Sequence, residues 1–326
     1  MQCWGLPATS TPAVLAGSTA GFIDFAIGGS HVCYVLTTGQ AYCWGTNTYG
    51  QIGNGATGVV TSPAAVTMFS DFVSVDTSPL TTSAGTSCGV HVDGQVSCWG
   101  SNDSAELGTA STDTFSHATP ARLTTLSLVA EVALGQDHIC ARRLDGSVSC
   151  WGSNVYGQLG RGVMGAGVFA PSDVVLPLPA TRVFVGPYTT CALLSDATLS
   201  CWGYNISGGL GDGTATSRGT PLVVPGLAAV VSASVGDQHT CVALSGGTVR
   251  CWGEGTSGRL GTGTTTDVYW ATSGPTLTNA IEVHAGAQHS CARLADFSIR
   301  CWGENGSYQM GDGTITDRYS PVTPSF

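Results

Sequence analysis

The chain is 326 residues long and carries 11 basic residues, all of them arginine, against 21 acidic ones, for a formal net charge of −10. Charged residues make up 10% of it and 46 positions are glycine, whereas an average soluble domain is about 25% charged and about 7% glycine. An acidic chain with no lysine and no basic run excludes a nucleic-acid or anionic-membrane surface, and without lysine a GxxxxGK phosphate loop cannot exist.

Met1-Gln2-Cys3 matches Val249-Arg250-Cys251, which puts Met1 at an apolar mid-strand position. Cys3-Trp4-Gly5 opens a triplet that returns at Cys43, Cys98, Cys150, Cys201, Cys251 and Cys301. Met1 to Ile23 lacks a basic n-region and does not read as a secretion signal. The uncharged stretch from Phe25 to Ser70 is full of Gly, Thr, Ser and Pro in β pattern, so a membrane-spanning helix is excluded on composition. After most triplets comes an asparagine and a Gly-rich turn, as in CWGTNTYGQIGNG from Cys43 and CWGSNVYGQLGRG from Cys150. A Thr/Ser/Pro-rich connection follows, then a short apolar strand such as Ala229 to Val235, then a strand entered through GDQHTC (236–241) or GAQHSC (286–291). Units of about fifty residues with about four short strands and no helical period predict an all-β array of propeller-like blades.

Twelve of the thirteen cysteines form six pairs ten residues apart: Cys33 and Cys43, Cys88 and Cys98, Cys140 and Cys150, Cys191 and Cys201, Cys241 and Cys251, Cys291 and Cys301. No CxxC occurs, which removes the signature of zinc ribbons, haem attachment and thioredoxin-like centres. If Cys140 faces Cys150 in an antiparallel hairpin, Arg143 closes on Ser147 and Gly146 takes the third loop position, where a type I turn with a G1 bulge needs positive φ. Gly39, Gly94 and Gly247 fall in the same place, and only Ala197 and Phe297 depart. Facing residues lie within disulfide reach, so six intrahairpin disulfides are expected, and with them an extracellular, cell-surface or periplasmic location. Cys3 has no partner ten residues upstream and is expected to be unpaired within the chain.

Several patterns suggest chemistry. His31, His138, His239 and His289 each stand two residues before a cysteine, but Thr86 and Thr189 replace them in two repeats, and a metal ring is not expected. Gly85-Thr-Ser-Cys-Gly89 matches GxSxG but leads into a strand rather than a helix. Gly-Asp-Gly-Thr at 211–214 and 311–314 offers one carboxylate per loop, too few for calcium. The sequons at Asn102, Asn205 and Asn305 all use the repeat asparagine and read as turn residues. Trp270 stands outside the triplets, and with Tyr269 it occupies a connection where other repeats have Gly219-Thr220 and Tyr319-Ser320. Tyr269, Trp270, Tyr49, Tyr156 and Tyr308 are therefore the candidate binding residues. Extra residues at Thr77–Thr86 and Arg161–Asp173 mark loops where function departs from scaffold.

The pattern G-x-x-H-x-C-x-x-x-x-x-G-x-x-x-C-W-G-x-N-x-x-G-x-x-G recurs six times in register and resembles the regulator of chromosome condensation repeat family. The resemblance covers essentially the whole chain and implies a seven-bladed β-propeller with about four antiparallel strands per blade, in which the histidine is a structural hydrogen-bonding residue. The paired cysteines resemble the variant of bacterial extracellular members. Residues 1–326 then form a single propeller domain of six complete repeats and half of a seventh, a piece of a longer chain. The strand beginning at Arg318 is expected to complete the blade of Cys3. The function expected is a non-catalytic extracellular binding or scaffold module for a protein or glycan partner, with no metal or cofactor, no nucleic acid and no membrane insertion. Alternatives are a secreted protein inhibitor of an enzyme, since the fold resembles a propeller-type β-lactamase inhibitor, and a subunit of a surface filament or sheath. Guanine-nucleotide exchange, an activity of the nuclear family member, fits poorly with the acidic balance and paired cysteines.

Overall fold

The computed structural model describes residues 2–3, 13–14, 21–79, 85–109 and 113–325. Every regular element there is a strand, apart from a 3-10 turn at Thr256–Gly258. Six successive antiparallel sheets fill 21–325, five of them four-stranded. The first comprises Phe22–Ile27, His31–Leu36, Ala41–Gly45 and Val60–Ala65 in meander order. The fifth comprises Val230–Val235, His239–Leu244 and Val249–Gly253, and isolated bridges at Val268 and Trp270 stand where the others have a fourth strand. No helix among the described residues is long and apolar enough to cross a membrane.

The hairpin register is the one the turn chemistry predicts. Cys140 faces Cys150, the Arg143 amide donates to Ser147 at 2.9 Å, and Gly146 has φ +84°. The closing amide bond makes each cysteine pair a close, non-hydrogen-bonded pair, and all six expected disulfides form with Cα atoms 4.1 Å apart. Ala197 and Phe297 take the same backbone as the glycines, at φ +62° and +66°.

Successive sheets are joined through their first strands, which neighbour one another along the series. Among the described residues no β ladder links them; side chains reach across to backbone amides instead. Asp24 Oδ2 accepts from Val75 N at 3.0 Å, Asp76 Oδ2 from Leu134 N at 2.8 Å, Glu131 Oε2 from Val183 N at 3.2 Å, and Ser232 Oγ from Val283 N at 3.2 Å. A bulge after the first residue of each first strand, as between Phe22 and Asp24, turns these side chains toward the next sheet. The second link is tryptophan. Trp99, Trp151, Trp202, Trp252 and Trp302 are fully buried, each under a glycine of the preceding sheet: a Cβ at Gly53 would stand 2.7 Å from Trp99 Nε1, and one at Gly211 2.6 Å from Trp252 Nε1. Each Nε1–H donates to a carbonyl of that preceding sheet, at 2.7–2.9 Å. Burying such a side chain stabilises by roughly 3 kcal/mol, so the sheet-to-sheet seams hold much of the core.

One expectation is overturned. The strand Arg318–Val322 does not complete the unit of Cys3; it pairs with Ile299–Gly303 through Cys301↔Val322 and Gly303↔Arg318, as the fourth strand of the sixth sheet. The physical reason is register: Cys201↔Leu222 and Gly203↔Arg218 are the same pairing one hundred residues earlier. Gln2–Cys3 pairs instead with Ala13–Val14. The Cys3 side chain lies outside the described residues, as do residues 80–84 of the Thr77–Thr86 insertion, whose base closes through Ser78 N to Thr86 O at 3.0 Å. The Arg161–Asp173 insertion forms a nine-residue outer strand, Gly165–Asp173, with two bulges.

Candidate functional site

Three of the four repeat histidines each reach from one sheet into the next. His31 Nε2 lies 2.8 Å from Ser87 Oγ, His138 Nε2 2.9 Å from Thr190 Oγ1, and His239 Nε2 2.8 Å from Ser290 Oγ, each hydroxyl in the next sheet. Those hydroxyls donate onward to the carbonyls of Gln51, Gln158 and Arg259, the same carbonyls that accept from Trp99, Trp202 and Trp302. A hydroxyl that has spent its proton must accept, so the imidazole proton sits on Nε2 and Nδ1 is a bare lone pair. The Nδ1 atoms of all three rings are buried without a partner. A second proton would find no acceptor there, and burial holds His31 at about 4 and His138 and His239 at about 3. Among the described residues no group of three or more His, Cys, Asp or Glu is placed to hold a metal.

A Ser–His–Asp connection exists elsewhere: Ser97 Oγ is 2.8 Å from His91 Nε2, and His91 Nδ1 is 2.7 Å from Asp71 Oδ1. Nucleophilic catalysis needs a hydroxyl that a substrate reaches, and here both Ser97 and His91 are buried, the imidazole stacked on Phe72 at 4.4 Å. Arg122 further ties Asp71 to Asp93. The cluster fastens the end of the second sheet. Ser87 of the GxSxG match is likewise buried, in the strand Thr86–His91. Asp212 and Asp312 accept from Thr214 and Thr314 and pair with Arg218 and Arg318, which uses up their oxygens. Asn102, Asn205 and Asn305 are buried, each Oδ1 accepting a backbone N–H within its loop at 2.9–3.0 Å.

Between the first strands, desolvation pushes the Asp76 carboxyl up to about 7, with the charges of Asp24 and Glu131 adding to the shift. The amides of Leu134 and Thr77 oppose it.

The exposed aromatics fall into two groups. On the irregular outer edge of the fifth sheet, Trp270 is 49% exposed and Tyr269 is also exposed. The Tyr269 carbonyl accepts from Gly213 N at 2.9 Å, as Gly219 accepts from Gly162 and Tyr319 from Gly263, so the three positions are equivalent as expected. The second group spans the third and fourth sheets: Tyr156 lies 5.4 Å from Tyr188 and 4.9 Å from Tyr204 between ring centroids, nearly edge to face. Tyr308 is exposed, at φ +64°, where Gly157 and Gly208 stand in other repeats. Tyr49 is half-buried and joins neither group.

The RCC1-like domain model matches residues 5–325. This chain belongs to the RCC1-like domain family. It is 28% identical to human E3 ubiquitin-protein ligase HERC2 over 209 residues, 63% of this chain and 4% of that protein. It is 28% identical to the ultraviolet-B receptor UVR8 of Arabidopsis thaliana over 204 residues, 60% and 44% of the two. The RCC1-like chain thus aligns with under half of the length of either relative. Among solved structures, human WBSCR16 superposes with a TM-score of 0.85 at 21% identity, covering 97% of this chain and 85% of that one. Yeast RCC1 (Prp20), in a complex with Kap60, superposes at 0.82 with 23% identity over 94% and 75%. Both establish the propeller architecture, and the sheets are its blades.

Tyr188 and Tyr204 were not singled out by their sequence context. The signal lay in aligning GPYTTC (186–191) with GDQHTC and GAQHSC. Tyr204 N donates to Tyr188 O as Glu254 N does to Gln238 O and Ser153 N to Asp137 O. One position pair thus runs through the blades of this RCC1-like domain, and among these three only the fourth blade fills it with two aromatics.

Proposed function

We propose that this RCC1-like domain is a non-catalytic, extracytoplasmic binding or scaffold module whose partner is a protein. The observation that carries this reading is the pair Tyr269–Trp270, exposed on the one described blade whose fourth strand is reduced to isolated bridges, while the side chains that resemble catalytic sets are tied into the interior. Protein binding is also what the yeast relative supports, since Prp20 is complexed with Kap60 and its binding to Gsp1p and histones is known. Ligase activity and light reception belong to HERC2 and UVR8 as whole proteins. Six disulfides support the extracytoplasmic part of the reading, because reducing compartments do not maintain such bonds. A complete propeller of seven blades belongs to the same reading. Cys3↔Ala13 has the register of Cys43↔Ala64, and Phe25 and Ile27 are 48% and 59% exposed where their counterparts Val75 and Thr77 are buried.

The test is retention on cells of the source organism and on their extracted surface proteins. The oxidised protein is compared with Tyr269→Gly/Trp270→Thr, which carries the residues of the preceding blade. Retention of the parent and loss in the variant support the reading; equal retention contradicts it.

A further inference from the structure

Resting on that binding reading, we propose that the loop face between the third and fourth blades binds an arginine side chain presented by the partner, held by Tyr156, Tyr188 and Tyr204 between the carboxylates of Asp137 and Asp237.

The three rings come from separate loops. Tyr156 follows the third blade's Cys-Trp-Gly turn, Tyr188 joins the first two strands of the fourth blade, and Tyr204 begins that blade's outer loop. Connections between strands one and two and between strands three and four emerge at the same end of an antiparallel blade, which brings all three onto one face. Their centroids stand 4.9–6.2 Å apart, and all three are half-buried. They form one partly exposed cluster. The Tyr188 hydroxyl donates to Gln136 Oε1 and is held in place by it.

The surroundings select the ligand. Asp137 and Asp237 stand in the connections between the first two strands of the third and fifth blades, the same connection that carries Tyr188 in the fourth, so they lie on either side of it along the series; burial, and after it the charges of both, raise the Tyr188 hydroxyl's pKa. Among the described residues neither carboxylate has a side-chain hydrogen bond or ion pair. Desolvation raises both carboxyls above their usual range; in Asp137 the charge of Asp103 adds to the effect, and in Asp237 the charge of Arg259 opposes it. The neighbouring cation, Arg259, is committed: it pairs with Glu254 at 2.9 Å and donates to Gln288 at 3.1 Å. Electron-rich ring faces beside unpaired carboxylates favour a cation, and a planar guanidinium both stacks on tyrosine and donates to carboxylate.

The probe is the acetylated, amidated tetra-arginine peptide, with its citrulline counterpart as the neutral isostere, titrated by calorimetry into the oxidised protein. Tyr188→Gln/Tyr204→Ser places there the residues that other blades carry on the same backbone, so the fold is kept. Saturable binding of the arginine peptide, weakened about tenfold by that variant and severalfold by Asp137→Asn/Asp237→Asn, and unchanged by Asp196→Asn/Asp296→Asn at the opposite end, supports the proposal. Four results overturn it: no saturable binding, equal binding of the citrulline peptide, equal loss from either carboxylate pair, or capture of cellohexaose in place of the arginine peptide. Cell retention that depends on Trp270 without any arginine-peptide binding removes this inference alone and leaves the binding reading intact.

Discussion

Gly39, Gly94, Gly146 and Gly247 adopt positive φ at the third loop position, and Ala197 and Phe297 are forced to copy them. The left-handed conformation costs a residue with a Cβ roughly 1–2 kcal/mol, part of which glycine returns through its freer unfolded state. Phe297 is 77% exposed, so little packing is lost on replacing it. Phe297→Gly is expected to stabilise the domain by about 0.5–1 kcal/mol, read as a higher denaturant midpoint; an unchanged or lower midpoint would show that the turn carries no strain. The buried imidazoles act on pH dependence. His31, His138 and His239 titrate near 3–4 when folded and at 6.5 in their ordinary state, so the unfolded chain binds more protons and stability falls as pH drops below about 6.5. Asp76 has the opposite sign: raised to about 7 from 3.8, it contributes stability that is present at low pH and lost as pH rises toward 7. Replacing the three histidines by threonine, the residue at 86 and 189, should flatten the acid limb of a stability–pH profile. Asp76→Asn should flatten the limb between about 4 and 7.

A blade is a four-stranded meander pinned at its middle hairpin, and its legibility in the sequence varies from strand to strand. The hairpins were readable because turn type, cysteine spacing and the glycine at positive φ all point to one register. The tryptophans were readable as equivalent positions, one in each triplet, although the glycines that seat them between the blades were not. A glycine run looks the same whether it makes a turn or makes room. The Ser97–His91–Asp71 connection was hidden because Asp71 lies in the connection before the blade and only folding brings it to His91. The outer strands were least legible: Arg318–Val322 has the composition of a closing strand, and its register alone decides that it belongs to its own blade. Two predictions belong to this scale. Trp202→Ala, which removes a fully buried ring and its bond to the Gln158 carbonyl, should cost about 3–5 kcal/mol, whereas the half-buried Trp44 of the first blade should cost less; equal losses in denaturant unfolding would contradict the seam account. Cys88→Ser/Cys98→Ser should cost at most about 3 kcal/mol, with amide exchange accelerating first in the strands Thr86–His91 and Val96–Gly100.

Over the whole molecule, the rigid bonds lie within and between the blades, and the free carboxylates lie in their loops. Disulfides and Trp–carbonyl bonds fix the blades, so the loops begin from rigid bases and binding costs little ordering entropy. The acidic balance of the chain is met by arginines largely committed to carboxylates, such as Arg218 with Asp212, Arg259 with Glu254 and Arg293 with Glu282. Asp137 and Asp237 are left for a partner. The composition showed an acidic chain without lysine, and the repeat showed the array, but the tyrosine cluster needed three loops in space before it could be recognised. The claim on which the rest depends is that this is a disulfide-pinned propeller working in an oxidising compartment. The most direct measurement is peptide mapping of the protein isolated from its source, with and without reduction. The account predicts six bonds, each joining cysteines ten residues apart from Cys33–Cys43 to Cys291–Cys301, whereas free thiols at those positions would contradict it.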